Sequence, residues 1–393
     1  AYRDMLLIRR FEEKAGQLTQ YFFLPVPAMR ELPERELRSG RVGSLLFVTD
    51  PAEINRLQKI ALEGSRLKVP LLFGFDVIHG FRTIFPVPIG MAASWDPALA
   101  EQAQGIAAAE ARAVGIHWAF APMVDIARDP RWGRIVEGAG EDPYLGSAMA
   151  AAQVRGFQGP FLGSAAHLLA GPKHFAGYGA PLGGRDYDEV NLSDSELWNV
   201  YLPPFAAAVK AGAGNVMSAY MGLNGVPAAA NRWLLTDVLR GAWNFKGFVV
   251  SDANGVVSLK AHHLARDARE SAVRALGAGL DMEMAFGGAA FHNLPEALAK
   301  GEIDARRLDD AVRSVIETKI RMGLFENPFV DEQRAAAVLG EPRHREAARV
   351  AAQRSAVLLR NEGGLLPLSA TSLKSLAVIG PLADAPREIL GPW

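Results

Sequence analysis

The sequence predicts an α/β fold, a (β/α)8 barrel followed by the start of a second α/β domain. Three observations carry this. Short apolar runs recur, each followed by a Gly/Pro/polar turn and an Ala-rich helical stretch. Several runs are apolar almost throughout, as strands buried on both faces require. The polar and charged residues gather at the C-terminal ends of the runs, where a parallel barrel builds its working rim.

The expected strands are Val42–Val48, Pro70–Asp76, Trp118–Ile126, Leu169–Phe175, Val216–Tyr220, Phe248–Asp252 and Leu280–Met284. Helical stretches between them include Pro97–Val114, Asp194–Ala211 and Ala265–Leu276. Seven strands fit a barrel whose eighth strand has no visible signal. A doubly wound sheet is the alternative, but no G-x-G-x-x-G follows the first strand. Past residue 320 the pattern changes. Gly323–Pro328 stops a helix, and a polar stretch runs to about Arg345. A further helix is expected with Ala347, Val350, Ala351 and Leu358 on one face, then a strand at Leu376–Ile379. One helix and one strand cannot close a core, so these 49 residues read as the beginning of another domain. The expected organisation is barrel 1–327, linker 328–344 and incomplete second domain 345–393.

Composition narrows the function. The 393 residues carry 42 Lys+Arg and 43 Asp+Glu, a net charge of −1, which gives no electrostatic reason to expect nucleic acid or an anionic membrane as partner. Cysteine is absent, which removes disulfides, thiolate metal sites and a cysteine nucleophile. The uncharged stretch 211–231 holds four Gly, three Asn and a Pro and is no membrane span. No signal peptide is visible, and the chain opens Ala1-Tyr2 without an initiator Met, so its natural start is expected to be missing or processed.

No H-E-x-x-H, G-x-S-x-G or G-x-x-x-x-G-K-[ST] is present. His262 and His263 are adjacent, about 100° apart on a helix, and read as a solvated face rather than as ligands. The expected rim instead holds Asp76, Arg82, Trp132, Arg134, Lys173, His174, Arg185, Tyr187, Tyr220 and Asp252. Carboxylates beside cations stay ionised, and both grip hydroxyl groups, which fits carbohydrate chemistry. On these grounds alone, Asp252 is not distinguished from Asp76 or Asp125.

Long motifs then appear in order: GFDVIHGFRTIFPVPIG (Gly74–Gly90), FAPMVDIARDPRWGRIVEGAGEDPYL (Phe120–Leu145), GPKHFAGYG (Gly171–Gly179), NVMSAYMGLNG (Asn215–Gly225), GFVVSDANGV (Gly247–Val256) and SAVLLRNEGGLLPL (Ser355–Leu368). Across nearly the whole chain the sequence resembles glycoside hydrolase family 3, in its periplasmic β-glucosidase branch. The resemblance implies a retaining, exo-acting β-glycosidase, most simply a β-glucosidase, with a small β-glucoside or oligosaccharide as substrate and no cofactor or metal. It makes Asp252 the nucleophile. It makes Asp76, Arg82, Arg134, Lys173, His174, Arg185, Met217 and Tyr220 the substrate-binding set, with core packing an equal reading for Met217 and a framework ion pair an alternative for Arg82. The acid/base is then a Glu from a C-terminal α/β sandwich domain beyond Trp393. The location implied is periplasmic or secreted, and a homodimer is compatible with it. Ala253 stands where many relatives carry an aromatic residue. Two alternatives compete. A single-domain β-N-acetylglucosaminidase of the same family would carry a His on the loop Ala180–Asp188, which has none. A sugar-binding protein without turnover would keep the pocket alone.

Overall fold

The computed structural model describes residues 11–22 and 34–393. Among these described residues, eight parallel strands are present: β1 (Thr19–Phe22), β2 (Ser44–Leu46), β3 (Leu72–Phe75), β4 (Trp118–Ala119), β5 (Leu169–Ala170), β6 (Asn215–Met217), β7 (Phe248–Ala253) and β8 (Met282–Ala285). Their hydrogen-bonded order is β5-β4-β3-β2-β1-β8-β7-β6. Backbone bonds just past β5 close the ring onto β6: Phe175 N donates to the Met217 carbonyl at 2.8 Å, and Met217 N to that of Pro172 at 3.0 Å. The fold is a (β/α)8 barrel.

Seven strands overlap the expected runs. The eighth is β1, which sequence reading did not place. Its residues Thr19 and Gln20 are fully buried on opposite faces of the strand, Thr19 donating to the Ala15 carbonyl of the preceding helix at 3.1 Å. Gln20 donates to Ser44 Oγ at 2.8 Å, and Ser44 donates to the Leu72 carbonyl at 2.7 Å. A strand whose inner residues are polar gives no apolar run, because its burial is supported by side-chain hydrogen bonds instead. Strands β4 and β5 are shorter than expected. Pro122 and Pro172 follow them and have no N–H to donate to a ladder. Single bridges, Met123 to Lys173 and Phe175 to Ser218, continue the pairing beyond.

The helices begin where Asp side chains cap them. Asp96 accepts from Ala98 N and Leu99 N ahead of Pro97–Ala113, and Asp142 accepts from Leu145 N ahead of Pro143–Gln158. Proline occupies the first turn of both, where its missing N–H costs nothing. Their small residues allow close packing: a Cβ on Gly156 would stand 2.3 Å from the Glu101 carbonyl oxygen. The single helix expected over Asp194–Ala211 is instead Asp194–Glu196, a π turn at Leu197–Tyr201, and Pro203–Lys210. Pro203 and Pro204 interrupt the backbone ladder there.

The helix Pro342–Arg354 packs Ala351 into a cluster with Phe85, Met91 and Leu99. Leu358, expected on this helix, lies past its end and is exposed. Leu376–Ile379, expected as a strand, pairs with no other strand, and Ile379 is 90% exposed. A strand exists only with a partner for its N–H and C=O groups, and the described residues offer none here. His262 and His263 lie in a turn after the short helix Val257–Lys260, exposed, rather than on a helix face.

Candidate active site

The C-terminal ends of β3 to β7 converge on one cluster of charges. Asp76 follows β3. Asp125 follows β4, and the next loop brings Arg134 and Glu137. Lys173 and His174 follow β5, Tyr220 follows β6, and Asp252 is the penultimate residue of β7.

Lys173 Nζ donates to Asp76 Oδ1 at 2.6 Å, with both groups largely buried. Beside it, the Asp125 carboxylate accepts twice from His174, from the backbone N at 2.9 Å and from Nδ1 at 2.9 Å. His174 Nε2 then lies 3.4 Å from Asp252 Oδ2. Burial pushes the His174 pKa well down, and the nearby Arg134 and Lys173 cations push it the same way, so the ring is neutral. A neutral ring that donates through Nδ1 keeps a lone pair on Nε2, an acceptor for a substrate hydroxyl.

Asp252 is 9% exposed. Burial raises its pKa, while Lys173, Arg134, the Ala253 N–H and the Tyr220 hydroxyl all favour the carboxylate. The Ala253 N–H donates to Oδ1 at 2.7 Å. Arg134 is fixed by two bonds to Glu137, Nε to Oε1 at 2.7 Å and Nη2 to Oε2 at 3.0 Å. Its guanidinium stands 5.5 Å from the Tyr178 ring centroid. Tyr178 in turn meets the His174 ring edge to face at 5.0 Å. The result is a carboxylate in a nearly dry cup, with cations placed to hold it ionised and donors and acceptors arranged around it. A nucleophile that must attack a neutral acetal needs these conditions.

The structure brings six expected site residues together: Asp76, Arg134, Lys173, His174, Tyr220 and Asp252. Met217 lies in β6 with its side chain in the hydrophobic core. Two arginines stand apart and make no hydrogen bond or ion pair with the cluster. Arg82 lies over the Phe81 ring at 5.3 Å and lines a separate cavity with Leu339, Pro342 and Arg345. Arg185 is 70% exposed and pairs with Asp188 at 2.9 Å. Asp125, Glu137 and Tyr178 were absent from the expected set. Asp125 had a signal, its strand-end position, and Glu137 had one too, its spacing of three from Arg134 on a helical turn. Nothing local marks Tyr178. Among the described residues, no group of three His, Asp or Glu side chains could hold a metal ion.

Comparison with known proteins decides the family. The glycosyl hydrolase family 3 N terminal domain matches residues 10–318. The chain belongs to glycoside hydrolase family 3. This family 3 chain is 40% identical to the periplasmic beta-glucosidase of Salmonella typhimurium, over 99% of its own length and 51% of the relative's. It is 36% identical to a beta-xylosidase of Formosa agariphila, over 90% of its length and 52% of that protein. Its fold matches a beta-glucosidase from Listeria innocua solved in complex with glucose, with a TM-score of 0.88 and 35% identity over 93% of this chain and 53% of the other. The family 3 chain therefore spans about half the length of the relatives it matches.

Proposed function

We propose that the protein is a retaining, exo-acting β-glucosidase that removes terminal non-reducing β-D-glucosyl residues. The observation that carries this reading is the placement of Asp252 at the end of β7, within reach of His174 and under the field of Lys173 and Arg134. The Asp76–Lys173 pair and the Arg134 guanidinium supply fixed donors and acceptors for ring hydroxyls, which orients the anomeric carbon toward Asp252.

In the first step, Asp252 attacks the anomeric carbon and the glycosidic C–O bond breaks, leaving a glycosyl ester on the carboxylate. His174 Nε2 accepts from a sugar hydroxyl, a contact that tightens as positive charge develops on the ring. The leaving oxygen takes a proton from a Glu of the second domain. In the second step, that same group deprotonates a water, which displaces Asp252. Residues 345–393 begin the α/β sandwich domain that brings this Glu, after a barrel at 1–327 and a linker at 328–344. Leu359, Leu376 and Ile379, each at least 71% exposed, support this organisation, because such side chains need a covering surface. Arg185 and Arg82 belong to the substrate-binding set only if the loops that carry them close over bound sugar. The name of the Salmonella relative supports a periplasmic or secreted location. Among the described residues, no helix is long and apolar enough to cross a membrane.

Trapping tests the reading. A 2-deoxy-2-fluoro-β-glucoside with an activated leaving group is expected to leave a glycosyl adduct on the peptide containing Asp252, read by mass spectrometry. A binding protein without turnover forms no adduct, and an adduct on another carboxylate moves the nucleophile elsewhere.

A further inference from the structure

The loop between β5 and β6 carries an aromatic side chain that the fold gives no reason to keep. Asp188 N donates to the Arg185 carbonyl at 3.2 Å, closing a tight turn whose third residue is Tyr187. Tyr187 has φ +68°. Glycine takes that left-handed position at no cost, whereas a bulky aromatic is strained there. Burial does not offset the strain, because the residue is 59% exposed. The turn is nevertheless held in place: Asp186, directly before it, accepts from Trp132 Nε1 at 2.9 Å, and Trp132 is fully buried.

The tethered turn sets the Tyr187 ring at the mouth of the site. It meets the Tyr220 ring edge to face at 5.2 Å and lies 6.2 Å from that of Tyr178. Tyr220 is the residue whose hydroxyl favours the ionised form of Asp252. The charges acting on the Tyr187 hydroxyl include those of Asp252, Arg134 and Glu137. Directly after Asp252 the side chain is small: Ala253 offers only a methyl group, partly buried against the core. Strain at an exposed, site-facing residue is a mark of ligand contact.

We infer that Tyr187 is the specificity platform for the leaving group, a ring face at the pocket mouth that favours flat, apolar aglycones over small or strongly hydrated ones. This rests on the proposed glucosidase reading and adds the substrate class. The buried groups around Asp76 and Lys173 take the glucosyl ring, so the exposed ring beyond Asp252 is left for the group that departs. An aromatic aglycone gains stacking and apolar burial there, and a methyl group gains neither.

The test compares Tyr187→Ala and Tyr187→Phe with wild type in the complete polypeptide. Substrates are 4-nitrophenyl and methyl β-glucoside, and a glucose-sized inhibitor probes the glucosyl pocket alone. In Tyr187→Ala, kcat/KM for the aryl glucoside is expected to fall about tenfold, mostly through KM, while the methyl glucoside changes less than about twofold. The inhibitor constant stays the same, and Tyr187→Phe keeps the aryl preference because the ring face remains. Equal losses on both substrates, no loss on either, or weakened inhibitor binding would overturn the platform. If wild type turns over neither glucoside, the glucosidase reading itself fails. The platform is then judged by affinity alone: the preference for phenyl over methyl β-glucoside must disappear in Tyr187→Ala and persist in Tyr187→Phe, or it falls as well. Unchanged thermal unfolding in Tyr187→Ala separates this effect from loss of fold.

Discussion

Lys173 Nζ and Asp76 Oδ1 are 2.6 Å apart, although 97 positions separate them in the chain. The next residue, His174, takes a different carboxylate, Asp125. Two neighbouring side chains thus tie three strand ends together, and both remain close to Asp252. The electrostatics of Asp252, the proposed nucleophile, depend on this arrangement, and most of the expectations below test it.

Replacing Asp252 with Ala is expected to lower kcat by about 10⁴-fold or more, because the covalent route is lost. Stability should change little, since a desolvated carboxylate is removed along with its hydrogen bonds. Steady-state kinetics with an aryl glucoside and a thermal melt check both. A variant with more than a tenth of the wild-type kcat would exclude Asp252 as nucleophile.

Lys173 is the cation that most favours the Asp252 carboxylate. In Lys173→Gln that help disappears, so the Asp252 pKa rises. Because the nucleophile works ionised, the acid limb of kcat/KM moves to higher pH. A pH profile in which only the height changes, with no movement of the limb, would separate Lys173 from the nucleophile.

Asp125 is fully buried, and its Oδ1 has no partner. It holds His174 through two N–H bonds and so fixes the position of that ring. Burial lifts its pKa to about 8. Both bonds end on Oδ2, so the Asp125→Asn amide either puts its NH2 there, losing the backbone bond and turning the ring to the Nε2–H tautomer, or puts its oxygen there and holds the ring through weaker bonds. A fall of at least about tenfold in kcat/KM is expected, with the melting temperature nearly unchanged. NMR of the ring nitrogens reads the tautomer directly. An unaltered tautomer together with an unaltered rate would show that Asp125 is only framework.

Glu283, on β8, is an internal carboxyl that holds the chain after its strand. It accepts from Ala290 N at 3.0 Å and from Phe291 N at 2.7 Å. Burial raises its pKa to about 7 from the usual 4.5. An acid with a raised folded pKa stabilises fully below its unfolded value and loses that contribution as pH climbs to the folded value. Stability should therefore decline between about pH 4.5 and 7, and Glu283→Gln should flatten that part of the curve. Chemical denaturation at several pH values measures it. An unchanged slope in the variant would place the pH dependence on other groups.

If the acid/base lies beyond Trp393, residues 1–393 alone should react with dinitrophenyl β-glucoside and then stall as the glycosyl ester. Azide needs no deprotonation, so it should restore turnover and give β-glucosyl azide. Hydrolysis of cellobiose by this piece at the rate of the complete polypeptide would place the acid/base inside it. The loop with Asp186, Asp188 and Glu189 would then be the first place to look.

Residue patterning alone was enough for the barrel and for the charged rim at its strand ends. Both follow from short-range rules: apolar runs become buried strands, Asp and Pro start helices, and strand ends face one side. The motif order extended this to the family and singled out Asp252 as the proposed nucleophile. It could not show β1, because Thr19 and Gln20 are polar and rest on hydrogen bonds, Thr19 to the Ala15 carbonyl and Gln20 to Ser44, where apolarity would have given a signal. Nor could it separate Arg134, clamped by Glu137 near Asp252, from Arg82 and Arg185, which stand in similar motifs but face elsewhere. The pairing of Asp125 with His174, and the strained, exposed setting of Tyr187 beside Tyr220, emerge only in the folded chain. Local composition fixes which groups reach the rim. Which of them meet depends on strands and loops brought together across the closed barrel, where a shift of a few ångströms decides whether two charges pair or merely share a surface.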